Sequence, residues 1–122
     1  MGPIENAIRT TCAAGMRMPT PTGRGEFSIA RIDADGVVLL LGAKEAWTPL
    51  SWACIEGVGT FLAAREWVPI GSKYETAADV GTLDGYLKGC LKRATAGWVA
   101  VVLEHAGVVE IDRRPPARVR LR

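Results

Sequence analysis

Thr95-Ala96-Gly97-Trp98-Val99-Ala100-Val101-Val102-Leu103-Glu104-His105-Ala106-Gly107-Val108-Val109-Glu110-Ile111 is the stretch on which the reading of this chain turns. Val99, Val102, Leu103 and Ala106 recur at helical spacing and predict a helix with one inward stripe. Gly107 stops it, because glycine readily takes the left-handed conformation of a helix end. A period-two pattern begins at once, with Val109 and Ile111 facing inward. The bend Arg113-Arg114-Pro115-Pro116-Ala117 turns the chain, and Arg118-Val119-Arg120-Leu121-Arg122 returns with Val119 and Leu121 inward. If Asp112 pairs with Arg118 in this hairpin, Glu110 faces Arg120, and both arginines have an acid across the strand pair.

Immediately upstream, Leu83, Tyr86, Leu87, Cys90 and Leu91 fall at i, i+3, i+4, i+7 and i+8 and predict an amphipathic helix over Leu83 to Arg93. Thr82 is its N-cap, Asp84 stands near its positive end, and Lys88, Lys92 and Arg93 lie on or near the outer face. Ala94-Thr95-Ala96-Gly97 is a turn short enough to pack this helix on the next. Further back, Trp67-Val68-Pro69-Ile70 reads as a short edge strand, and Leu50 to Arg65 as a helix with Leu50, Cys54, Val58, Phe61 and Leu62 on one face. Thr48-Pro49 supplies that helix with an N-cap and a proline at its first position. Gly57 and Gly59 within it allow a neighbour to approach closely. Residues 71–80 read as a polar loop.

The order helix, short strand, helix, turn, helix, hairpin over Leu50 to Leu121 resembles the winged helix-turn-helix family of DNA-binding domains. In that family the helix before the wing usually enters the major groove, and the wing touches backbone or minor groove. The resemblance implies an α+β fold, here a winged helix-turn-helix-like domain with an extra N-terminal β-hairpin. Position by position it nominates Thr95, Ala96 and Trp98, then Ala100 and Glu104, as groove-facing. Arg113 and Arg114 become wing-tip contacts, Arg118 and Arg120 wing-strand contacts, and Lys88, Lys92 and Arg93 helix contacts. The function implied is binding of double-stranded DNA, as a transcription regulator or a reader of DNA state. Two-fold dimers are common in the family, so a homodimer is a candidate assembly.

The charge distribution agrees with a backbone-contacting wing. The chain carries +2, yet Arg113, Arg114, Arg118, Arg120 and Arg122 form a final segment without an acid, so residues 1–112 carry −3. The groove-facing helix departs from the family's habit. Base edges are read by Arg, Lys, Asn, Gln, Ser or Thr, whereas this helix offers Thr95, Trp98, small residues and Glu104. Contact through backbone charge therefore fits better than base readout. The alternative is a protein-interaction or oligomerisation module on the same scaffold, without nucleic acid.

Residues 1–25 read as an N-terminal arm or linker ahead of one domain over 26–122. Ile4, Ile8 and Cys12 permit a short helix, and the prolines and glycines that follow break regular structure. This segment is the candidate for packing on a second subunit. Phe27 to Ile32 and Val37 to Leu41 flank Asp33-Ala34-Asp35-Gly36, an Asp-Gly hairpin pattern, and the second strand is apolar throughout, so both its faces should be covered.

Catalysis is not expected. His105 has no catalytic motif around it, and Gly23-Arg24-Gly25 and Gly57-Val58-Gly59 lack the context of a phosphate cradle. Cys12, Cys54 and Cys90 are odd in number and widely spaced, with one histidine to join them, so no metal or other cofactor is implied. They read as reduced, partly buried thiols, which points to the cytoplasm. The first residues show no export signal, and no apolar run reaches the ~18 residues that span a bilayer.

Overall fold

A computed structural model describes residues 2–21, 23, 25–42, 44–71, 81–90, 95–114 and 116–122. In chain order these form α1 (Pro3–Thr11), β1 (Arg17–Pro19), β2 (Glu26–Ile32), β3 (Gly36–Leu41), β4 (Ala46–Ser51), α2 (Trp52–Ala63), β5 (Val68–Pro69), α3 (Leu83–Lys88), α4 (Ala96–His105), β6 (Val109–Asp112) and β7 (Arg118–Leu121). The fold is α+β. One antiparallel sheet has the order β1-β2-β3-β4 and a second the order β5-β7-β6.

The expected arm is instead part of the core. Ile4, Ile8, Cys12 and Met18 are buried, α1 packs on α2 and α4, and β1 pairs with β2. The physical reason lies at Glu56 of α2, 52 residues from Ile4 and 51 from Glu5. Its carboxylate accepts the Ile4 N–H at 3.3 Å and the Glu5 N–H at 2.7 Å, capping the donors that the start of α1 leaves without intrahelical partners. Arg9 ties the other end to the β2–β3 turn, donating to the Asp33 carbonyl at 2.9 Å while its guanidinium lies 5.2 Å from the Trp52 ring centre.

The β2–β3 hairpin forms where the Asp-Gly pattern predicts it. Asp33 Oδ1 accepts the Asp35 N–H at 2.9 Å and the Gly36 N–H at 3.3 Å. Gly36 has φ 154°, and a Cβ there would strike the Leu50 carbonyl, so the turn requires glycine. In β3, Val37, Val38, Leu39 and Leu41 are buried and Leu40 is half-buried, in keeping with a strand covered on both faces.

The reading of Thr48-Pro49 as a helix start is corrected. These residues belong to β4, which pairs with β3 in the register Leu39↔Thr48 and Val38↔Pro49. Thr48 and Leu50 are buried while Trp47, Pro49 and Ser51 face out, a period of two that the capping pattern had masked. Proline is tolerated because β4 ends the sheet order. The cap of α2 is Ser51, whose hydroxyl accepts the Cys54 N–H at 3.2 Å. Gly57 does admit a close neighbour: a Cβ there would collide with the Tyr86 hydroxyl, which donates to the Cys54 carbonyl at 2.9 Å.

Thr82 caps α3 as expected, accepting the Gly85 N–H at 2.9 Å. The helix ends at Lys88, and residues 91–94 and the polar loop at 72–80 lie outside the described residues. Nor are all three cysteines reduced. Cys54 and Cys90 form a disulfide with a Cα–Cα distance of 6.0 Å, leaving Cys12 as a buried free thiol. Their separation of 36 residues disguised the pair.

The largest departure is α4. Besides Val99, Val102 and Leu103 it buries Ala96, Ala100 and Val101, so it is interior on most sides rather than along one stripe. Ile8, Val37, Leu39, Leu50 and Ile55 converge on Val99, Val102 and Leu103, and β6 packs on the helix as well. Gly107 closes it at φ 78°, with the Val108 N–H bonded to the Leu103 carbonyl at 2.9 Å.

Candidate functional site

Among the described residues, several of those nominated for DNA are buried. Thr95 is fully buried at the start of α4, and its hydroxyl has no hydrogen-bond partner among the described residues. Trp98 is half-buried and packs against the core. Ala96 and Ala100 are buried, so the positions expected to face a groove are mostly covered by the protein itself. Lys88 pairs with Asp84 at 2.9 Å along α3. Lys92 and Arg93 lie outside the described residues.

The hairpin arginines do gather, each beside an acid. The register is Glu110↔Arg120 and Asp112↔Arg118, as the strand alternation requires. Arg120 reaches Glu110 at 2.5 Å and Arg118 reaches Asp112 at 2.9 Å, with both guanidiniums over the Trp67 ring, at 4.5 and 5.5 Å from its centre. Arg113 and Arg114, which the sequence leaves without partners, have them. Arg113 clasps Glu104 of α4 through two bonds of 2.6 Å, and Arg114 holds Asp112 at 3.0 and 2.8 Å. Hydrogen bonds from the Arg114 side chain and backbone, then from Arg118, hold the Asp112 carboxyl well below its ordinary range. The Arg113 hydrogen bond does the same for Glu104, and both arginines are held more firmly protonated in return.

A second region has the shape of a binding site. At the outer face of the first sheet, a cleft of about 380 Å³ is bounded by Arg31, Asp33, Asp35, Trp47, Ser51 and the Cys54–Cys90 pair. Trp47 projects from β4 and, among the described residues, is the large hydrophobic side chain standing most exposed, at 53%. Arg31 lies over its ring, 5.2 Å from the centre, and bonds Asp33 Oδ2 at 3.0 Å. The cleft thus sets an aromatic face beside one cation and two carboxylates. Sequence reasoning missed it because Trp47 fell just before a supposed helix. The alternation of buried Thr48 and Leu50 with outward Trp47 and Pro49 was the available clue.

Among the described residues no group of three His, Cys, Asp or Glu side chains stands close enough to hold a metal ion, and no helix is long and apolar enough to cross a membrane. No protein-family model matches the chain, and no curated protein or solved structure matches it.

Proposed function

We propose that this chain is a protein-interaction module on a winged-helix-type scaffold, with the Trp47 face as its docking surface. The scaffold reading is supported by the succession α2, β5, α3, α4, β6, β7 and by the central place of β7 in the order β5-β7-β6. The observation that carries the functional reading is the burial of α4. The helix that would read a groove packs against α1, the first sheet and β6 and buries six of its ten residues, so Gly97, Trp98, Glu104 and His105 are the positions it leaves to solvent. Trp47 beside Arg31 over a cleft has the composition of an interface hot spot, in which tryptophan and arginine predominate. The mixed charge of Arg31, Asp33 and Asp35 suits a second copy of this face as well as a different protein.

A second reading, binding of the DNA backbone through the β6–β7 hairpin, is favoured by one observation. Five arginines meet three acids there, leaving +2, and the Arg114 side chain is 85% exposed. Exposed ion pairs are weak enough for phosphates to displace. The cytoplasmic expectation rested on reduced thiols, and Cys54 and Cys90 are instead paired.

Fluorescence anisotropy of labelled duplex DNA at low and physiological salt separates the two. Absence of binding at low salt by folded protein supports the interaction module. Binding that falls steeply with salt and disappears in R113E/R114E establishes the hairpin reading instead. Sedimentation of the parent and Trp47→Glu over a range of concentrations then tests self-association through the proposed face.

A further inference from the structure

We propose that the Cys54–Cys90 disulfide is a thiol–disulfide exchange site, opened by attack of a low-molecular-weight thiol on Cys90. The two sulfurs occupy different environments. Cys54 is buried, 6% exposed, in the first turn of α2, where its N–H is bonded to the capping Ser51 hydroxyl. Cys90 is exposed, just beyond the end of α3, and both cysteines line the cleft beside Trp47. An incoming thiolate therefore reaches Cys90 Sγ from solvent, while Cys54 Sγ is shielded.

The direction of bond breaking follows. Attack on Cys90 forms a mixed disulfide there and expels Cys54 as a thiolate. Access selects the sulfur that is attacked: with Cys54 shielded and Cys90 open to solvent, substitution at Cys90 makes Cys54 the leaving group. A second thiol then attacks the mixed disulfide and releases Cys90. Two external thiols are oxidised to one disulfide, the protein disulfide is reduced to two thiols, and the protons lost by the former are taken up by the latter. The reverse reaction needs only the oxidised form of the same thiol. Opening the bond removes the covalent tie between Cys90 and α2 at the wall of the cleft, while the Tyr86 hydroxyl still holds α3 to the Cys54 carbonyl. Cys12 takes no part, being buried and having its thiol pKa pushed up by that burial.

The test equilibrates the oxidised full chain with buffers of graded glutathione to glutathione disulfide ratio, followed by acid quench, alkylation and mass spectrometry. The disulfide is expected to open within the series and to close again when the ratio is reversed, with circular dichroism showing folded protein throughout. In C54S the remaining Cys90 should take up glutathione, and in C90S the shielded Cys54 should do so roughly tenfold more slowly. Should either variant fail to fold, early quenching of the parent gives the same information, as glutathione on Cys90 with alkylated Cys54. The proposal is overturned if both thiols are free in air-oxidised protein, if the bond opens only after denaturation, or if glutathione is found first on Cys54.

Discussion

Helix α4 and the β6–β7 hairpin follow one another directly in the chain, and they are held by opposite physics. In α4 the interactions are apolar and unscreened by solvent: Ala100 is 0% and Leu103 1% exposed. In the hairpin the outer face is a lattice of guanidiniums and carboxylates over Trp67, and its tip is wet. A sequence that resembles a DNA-reading helix and wing thus contains a helix largely committed to the core and a hairpin whose positive charge is partly answered by acids within the protein. Fold does not by itself assign function; which surfaces are left free decides what a domain can bind.

The comparison is easiest to break in the core. Leu103→Ala is expected to cost about 2–5 kcal/mol, since the lost transfer energy is joined by a cavity between the first sheet and β6, and urea unfolding would measure it. A cost below about 1 kcal/mol would mean that α4 is less enclosed than described. An intermediate effect belongs to Glu56, which joins α1 to α2. Glu56→Ala should cost about 1–2 kcal/mol in the same measurement and speed amide exchange at Ile4 and Glu5, whose N–H groups lose their acceptor.

The smallest effects belong to the hairpin. Arg113→Ala should change stability by about 0–1 kcal/mol, because its pair with Glu104 is partly exposed and open to screening by salt. Acid has a defined sign there. Glu104 and Asp112 have folded-state pKa values below their unfolded ones, so their contribution is fully present above the ordinary carboxylate range of about 4. It is lost as pH falls from there through the folded-state values. Side-chain NMR of Arg113 and Arg114 should report loosening of the tip on that acid limb, with no change between pH 6 and 8.

Much of the architecture was legible because it is written in local pattern. Asp33 to Gly36 makes a hairpin by turn chemistry, Thr82 caps a helix by hydrogen bonding, and, once Asp112 pairs with Arg118, the strand period of two sets Glu110 opposite Arg120. The failures share a different cause. Thr48-Pro49 satisfies a helix cap locally, yet pairing with β3 and burial of Thr48 and Leu50 prevail. Residues 3–11 read as part of an arm until Glu56 is seen to cap them, and Thr95 to Leu103 looked like a helix with a free face until the first sheet is placed over it. The Trp47 cleft was hidden for the same reason as β4, which displays it.

The sequence by itself determined the periods, the turn at Asp33 to Gly36 and the concentration of arginine at the end of the chain, since each depends on residues near in sequence. The tertiary structure decided which face of each element is spent on the core, which arginines are partnered, and that Cys54 meets Cys90. The core faces and the disulfide depend on contacts between residues far apart in sequence, such as the two cysteines 36 positions apart. The arginine pairs, though within 10 residues of their acids, depend on how the hairpin folds back on α4.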